Sequence, residues 1–234
     1  MPGETTYHEP VYCRPEAFRY FLEQMPQLWT SQGLVHAAIG VSMHALDDVA
    51  PDRVQKQIDL LSERVRAIAE EDLPSRLHAA LHKVLFDEEG FAGNTDRYYH
   101  ALNSYLPAVL NTHQGLPILL SLVYKAVGDG AGLTIAGINS PWHFMVRVRL
   151  ETGWIIVDPF YRGEVLSREK AFRRLERIAQ RVLKHDDELL AAPTHVQWLH
   201  RIIGNLRQLF MAEGRHADLA AMNELLQALK QSQS

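Results

Sequence analysis

The sequence predicts an α+β fold: a helical N-terminal half, one helix packed on a small antiparallel sheet, and a helical C-terminal tail. Three observations carry that expectation. Apolar residues recur at helical spacing through nearly all of the first 86 residues, the period switches to two between residues 133 and 158, and helical spacing returns from residue 167. The chain of 234 residues is 47% hydrophobic and 22% charged, a globular composition with length enough for one large domain or two small ones.

Each element has its own signal. Residues 15–29 read as a helix opened by Pro15, with Phe18, Phe21, Leu22 and Met25 on one stripe and a stop or bend at Pro26. Residues 33–46 give an apolar helix. After Pro51 the series Val54, Ile58, Leu61, Val65, Ile68 marks a strongly amphipathic one, and residues 73–86 a fourth. Residues 87–116 are rich in Gly, Asn, Asp and Tyr and predict connecting structure with a short helix near 99–110. Pro117 opens an apolar helix that ends in the glycine-punctuated stretch 128–132. Residues 133–138, 143–150 and 154–158 predict three strands, the last two forming a hairpin. Residues 167–190 predict a helix with a basic side, and residues 195–212 and 216–230 a helix pair around Gly214.

Charge follows the same partition. Residues 1–110 carry 9 basic and 16 acidic side chains, residues 111–165 carry 4 of each, and residues 166–234 carry 11 and 8. The expected regions are therefore 1–110, 111–165 and 166–234, an acidic front, a neutral core and a mildly basic tail, within what can be one compact unit. A net charge of −4 argues against a nucleic-acid partner. A single cysteine, Cys13, excludes an internal disulfide framework and a cysteine-rich zinc site. The first ten residues lack a basic region followed by an apolar run, and no stretch approaches the length of a membrane span, so the expectation is a cytoplasmic protein without a membrane partner.

One constellation can carry chemistry. His143 and Asp158 stand 15 residues apart on adjacent strands. If residues 149–152 form a four-residue loop, His143 lies directly opposite Asp158, with Cβ atoms ~5 Å apart. A two-residue turn at Thr152–Gly153 keeps both on one face but out of register. Such a carboxylate orients an imidazole and supports its charged form. The alternative is a satisfied histidine at a strand end.

The segments around this pair resemble a known family. The run Gly115-Leu-Pro-Ile-Leu-Leu-Ser, then Pro141-Trp-His-Phe-Met-Val-Arg, then Val157-Asp-Pro-Phe with Gly163, is similar to the SirB family of bacterial proteins within the transglutaminase-like (papain-like) superfamily. Glu89-Gly-Phe-Ala-Gly-Asn94, Tyr99 and Asn103-Ser104 extend the resemblance upstream. It implies a transglutaminase-like core in which a cysteine opens the helix, a histidine starts one strand and an aspartate lies on the next. The histidine maps onto His143 and the aspartate onto Asp158, with Trp154 as the tryptophan that often precedes it by four. The cysteine maps onto Pro117, which has no nucleophilic atom. The implied protein is a non-catalytic module for a protein or peptide partner, without cofactor. The alternative is a hydrolase or transferase on an amide, ester or glycosyl bond, using His143 and Asp158 with water or Ser121. Ser121, one helical turn beyond Pro117, is either that nucleophile or a small residue packed under the sheet. Cys13 is the only thiol, on an N-terminal arm.

The resemblance also implies a surrounding shell. Glu89, Asn94 and Asn103 are expected to buttress the histidine loop. Trp142 stands where the family usually has Gly and either covers a cleft or fills the core. Arg147 shares the strand face of His143 and either binds an anion or sits in solvent. His78 and His82 have a spacing zinc can use, but no third ligand is evident, so no metal is expected. Gly128, Gly130 and Gly132 follow a helix instead of a strand and predict a helix end, not a phosphate loop. Asp87, Glu88 and Glu89 predict a structural carboxylate cluster, and residues 167–184 a solvated basic face. Residues 205–216 look like one tetratricopeptide-type helix pair, docked on the core and offering a peptide-binding face.

Overall fold

The computed structural model describes residues 9–233; most of the ten-residue start, in which no signal-peptide pattern is read, lies outside them. Prolines set where four of the helices begin, because a residue without an N–H and with φ preset is best placed in a first helical turn. Pro15, Pro51, Pro74 and Pro117 open α1 (Pro15–Glu23), α3 (Pro51–Ala69), α4 (Pro74–His82) and α6 (Pro117–Ala131). Between them, α2 (Ser31–Met43) starts on Thr30, whose hydroxyl accepts from Gly33 N at 2.9 Å, and α5 spans Leu106–Thr112. The tail consists of α7 (Arg168–Ala179), α8 (His195–Ala212) and α9 (His216–Gln231).

Two sheets hold the centre. β1 (Ala92–Gly93) and β2 (Gln114–Gly115) form a short parallel pair. β3 (Ile135–Ser140), β4 (His143–Leu150), β5 (Gly153–Asp158) and β6 (Glu164–Leu166) form an antiparallel meander in that order. Strand alternation divides its two faces. Phe144, Val146 and Val148 join the main core with α6, α2 and α8. Met145 points the other way, into a smaller cluster with Ile138, Leu166, Ala171 and Leu175, which α7 closes.

The α+β class is observed, with some differences of extent. The first helix stops at Glu23, and a 3-10 turn (Met25–Gln27) carries the chain past Pro26. The strand expected at 133 starts at Ile135, because Gly132, at φ 104°, ends α6 and the Leu133 N–H still bonds to the Gly128 carbonyl. The helix expected over 167–190 ends at Ala179, where Gln180 turns left-handed at φ 52°; a 3-10 turn at Asp187–Leu190 follows. β6 has only three residues, too few to show a period. The hairpin β3–β4 was also unexpected: residues 141–142 alone connect the strands, with Ser140 paired to His143.

Candidate functional site

The β4–β5 hairpin turns at residues 151–152, pairing Leu150 with Gly153 and Val146 with Val157. Neither expected register is observed. Continuing the pairing sets Asp158 against Met145, two positions along from His143, so the two residues are diagonal neighbours on one face. The diagonal is bridged: His143 Nε2 and Asp158 Oδ2 lie 2.8 Å apart, with His143 3% and Asp158 0% exposed.

The carboxylate has two more donors. Arg174 Nη1 reaches the same Oδ2 at 2.7 Å, and the Phe160 N–H donates to Oδ1 at 3.2 Å. Arg174 also pairs through Nη2 with Glu164 and lies with Cζ 4.0 Å above the Tyr161 ring. Burial opposes its charge, but the hydrogen bonds to Glu164 and Asp158 outweigh it and hold its pKa above the ordinary value. Arg174 is the main residue sequence reasoning missed. It belongs to the helix read as a solvated basic face, yet its side chain is 11% exposed. The available signal was its place three residues after Ala171, at the edge of the buried stripe Ala171, Phe172, Leu175.

Aromatic rings pack against the rest of the histidine. Phe160 meets the His143 ring edge-on at 5.9 Å and Tyr161 tilts against it at 6.0 Å. Tyr98 packs edge-on against Phe160 at 6.0 Å. Gly93 is required here, since a Cβ at that position would lie 2.4 Å from the Phe160 ring. His143 Nδ1 makes no hydrogen bond to any described residue and is not among the sealed polar atoms. Two cavities, of about 310 and 220 Å³, lie elsewhere: one between the end of α3 and α4, the other between residues 9–18 and α9.

Other expected residues sit as follows. Pro117 is the buried first residue of α6, and α6 packs on the 3-10 turn Pro159–Tyr161 that follows Asp158. It supplies neither a thiol nor a backbone N–H. Ser121 is fully buried, and its hydroxyl bonds to no described residue, so no hydrogen bond links it to His143. Asn94 and Asn103 act on a neighbouring loop: Asn94 Nδ2 donates to Asn103 Oδ1 at 3.0 Å, and Asn103 Nδ2 donates to the Arg97 and Tyr98 carbonyls at 2.6 and 3.1 Å. That fixes the loop carrying Tyr98, and the Asn103 carbonyl accepts from Leu116 N just before Pro117. Glu89 does not touch the histidine loop; its carboxylate pairs with Arg64 and, at 3.5 Å, with His113.

Trp142 does not fill the core. It is 42% exposed and stacks on Arg181, whose Cζ is 4.9 Å from the ring. Its φ is 65°, which costs an L-residue about 1–2 kcal/mol and explains why glycine suits this position. Arg147 lies on Trp154, with Cζ 4.7 Å from the ring, and its Nε is sealed without a partner. Cys13 is buried, with its backbone N–H held by Glu224 at 2.8 Å; burial and the Glu224 charge push the thiol up to about 12, so it is inert. Among the described residues no three metal-ligating side chains converge, and no helix is long and apolar enough to cross a membrane.

With this geometry in place, comparison with known proteins is direct. A family model described as transglutaminase-like superfamily matches residues 52–204. A UPF0162 protein of Xylella fastidiosa (strain 9a5c) is 32% identical over 173 residues, covering 69% of this chain and 58% of the relative. F-box only protein 21 of Mus musculus is 31% identical over 156 residues, covering 63% of this chain and 24% of that protein. The Homo sapiens protein of the same name is 28% identical over 199 residues, 72% of this chain and 31% of the relative. The matched segment thus spans somewhat over half the length of the two Xylella fastidiosa UPF0162 proteins. No solved structure matches it. The chain belongs to the transglutaminase-like superfamily.

Proposed function

We propose that this member of the transglutaminase-like superfamily is a non-catalytic module that binds a protein or peptide, and that its SirB-like motifs preserve a scaffold instead of a reaction. The observation that carries the reading is Pro117 at the first position of α6. A nucleophile there would gain from the helix N-terminus, and its own N–H could face a developing oxyanion. Proline offers neither the atom nor the N–H. The closure of the His143–Asp158 pair by Arg174, Phe160 and Tyr161 supports the same reading, since it makes the pair a strut between β4, β5 and α7. In F-box only protein 21 the matching region is 24–31% of the chain, as suits a module used within larger proteins.

The test is catalysis. Fluorogenic ester and amide substrates and a glutamine-donor transfer assay are expected to give no turnover above background. His143→Ala is expected to keep the fold by circular dichroism. Turnover that disappears in His143→Ala overturns the proposal.

One observation favours a second reading. His143 Nδ1 is unpartnered while Nε2 is held by a carboxylate, the orientation of a general base. In that case His143 activates water on an amide, ester or glycosyl bond and Asp158 orients the ring. Water is the better nucleophile candidate, because the Ser121 hydroxyl is sealed.

A further inference from the structure

A partly buried cation on α8 stands beside this strand end without a counter-charge. Among the described residues Arg14, Arg64, Arg168, Arg174 and Arg215 each have a carboxylate within 4.0 Å; Arg201 has none. Its Nη1 is fully engaged, donating to Asn139 Oδ1 at 2.6 Å and to the Ser140 carbonyl. Its Nε and Nη2 have no partner among the described residues, and unlike Arg147 Nε neither is sealed from solvent. The two contacts therefore lock the guanidinium plane and leave one edge open. That edge presents two parallel N–H groups, the fork that grips a planar carboxylate side-on.

The surroundings raise the value of a counter-anion. The Arg201 Cζ lies 5.8 Å from the centre of the Phe144 ring, which packs on Trp198 at 4.5 Å. Burial works against the charge of Arg201, and a guanidinium cannot escape by losing its proton. An ion held on such an apolar floor is worth more than one in open water. Location ties it to the site. Asn139 and Ser140 are the register partners of Phe144 and His143. Tyr98, which interacts electrostatically with Arg201, packs on the Phe160 ring that meets His143. Tyr99, Trp142 and Tyr161 are 80%, 42% and 44% exposed around this end of the sheet.

We propose that Arg201 anchors a subsite for a peptide carboxylate, with the neighbouring tyrosines receiving the adjoining apolar side chain. A carboxylate is favoured over a phosphate because a single guanidinium with neutral neighbours matches a monoanion, whereas phosphate sites gather several cations. This rests on the binding-module reading and specifies its ligand.

The experiment is a titration of the ¹⁵N-labelled wild-type protein, following the Arg201 Nε–Hε resonance. That resonance is assigned through the backbone and checked by its loss in Arg201→Lys. N-acetylphenylalanine carries a terminal carboxylate, the dipeptide Ac-Asp-Phe-NH₂ a side-chain one, and N-acetylphenylalaninamide none; inorganic phosphate is the fourth probe. A saturable shift with either carboxylate, at least about tenfold tighter than with the amide, is expected, and the tighter of the two identifies the source. Equal binding of the amide overturns the carboxylate subsite while leaving the binding module intact. Tighter binding of phosphate overturns it in favour of a phosphate site, and no shift with any probe removes the subsite altogether. The wild-type shifts decide the question even if Arg201→Lys fails to fold.

Discussion

Asp129 and Asp158 are two carboxylates with nearly the same hydrogen-bonding pattern and different surroundings. Asp129, near the end of α6, accepts from Lys125 Nζ at 2.6 Å, from the Ser31 hydroxyl and from Ile135 N at 3.2 Å. Asp158, at the end of β5, accepts from Arg174, from His143 and from Phe160 N. Each binds one cation, one further side chain and one main-chain N–H, and each stitches three elements together. An acid near a helix C-terminus is electrostatically poor, so Asp129 is explained by its partners. Lys125 also donates to the Ile135 carbonyl at 2.6 Å, which ties that network to the start of β3. Asp158 differs in two respects: its histidine keeps one nitrogen unpartnered, and exposed aromatics ring the strand end. A buried charge network is thus no mark of function in itself. The unpartnered ring nitrogen and the rim are what separate the two.

The comparison predicts an order of losses. Asp158→Asn should be the most damaging substitution, because Arg174 and His143 then lose a fully buried counter-charge. Breaking such a pair costs about 3–5 kcal/mol, which should lower the melting midpoint by roughly 10 °C. Lys125→Met should cost less, about 2 kcal/mol by urea unfolding, because Asp129 is 22% exposed and keeps Ser31 and Ile135 N. If Lys125→Met proves worse than Asp158→Asn, the α6 network is the principal strut and the Asp158 cluster is not.

The helices, β4 and the juxtaposition of His143 and Asp158 were legible because periodicity, proline placement and strand pairing are local signals. The hairpin register was not, since a turn at residues 150–153 can slip by two and leave the same residues on the same face. Arg174 and Arg201 escaped for a different reason. Whether an arginine is solvated, spent on a carboxylate or left with an open edge depends on neighbours that lie 16 residues away for Arg174 and 62 for Arg201. Trp142 was legible as an anomaly, but only its φ of 65° and the stack on Arg181 explain how the indole is accommodated.

The smallest effect sharpens the contrast between a partnered and an unpartnered histidine. His143 Nε2 is held by a carboxylate, whereas His78 Nε2 is sealed with no partner. Burial, and secondarily His82, lowers the His78 pKa; burial likewise lowers those of His44 and His195. A base whose folded pKa is lowered contributes no penalty above its ordinary value of about 6.5. As pH falls from there toward the lowered value, the unfolded chain takes up a proton the folded chain refuses, and stability is lost. Urea midpoints should therefore fall between pH 7 and pH 5. His78→Leu should remove part of that slope, while at pH 7 it should leave stability equal or slightly raised, because a sealed unpaired nitrogen is gone. An unchanged slope would mean that His78 takes up its proton in the folded chain as readily as in the unfolded one, so that its pocket opens to water.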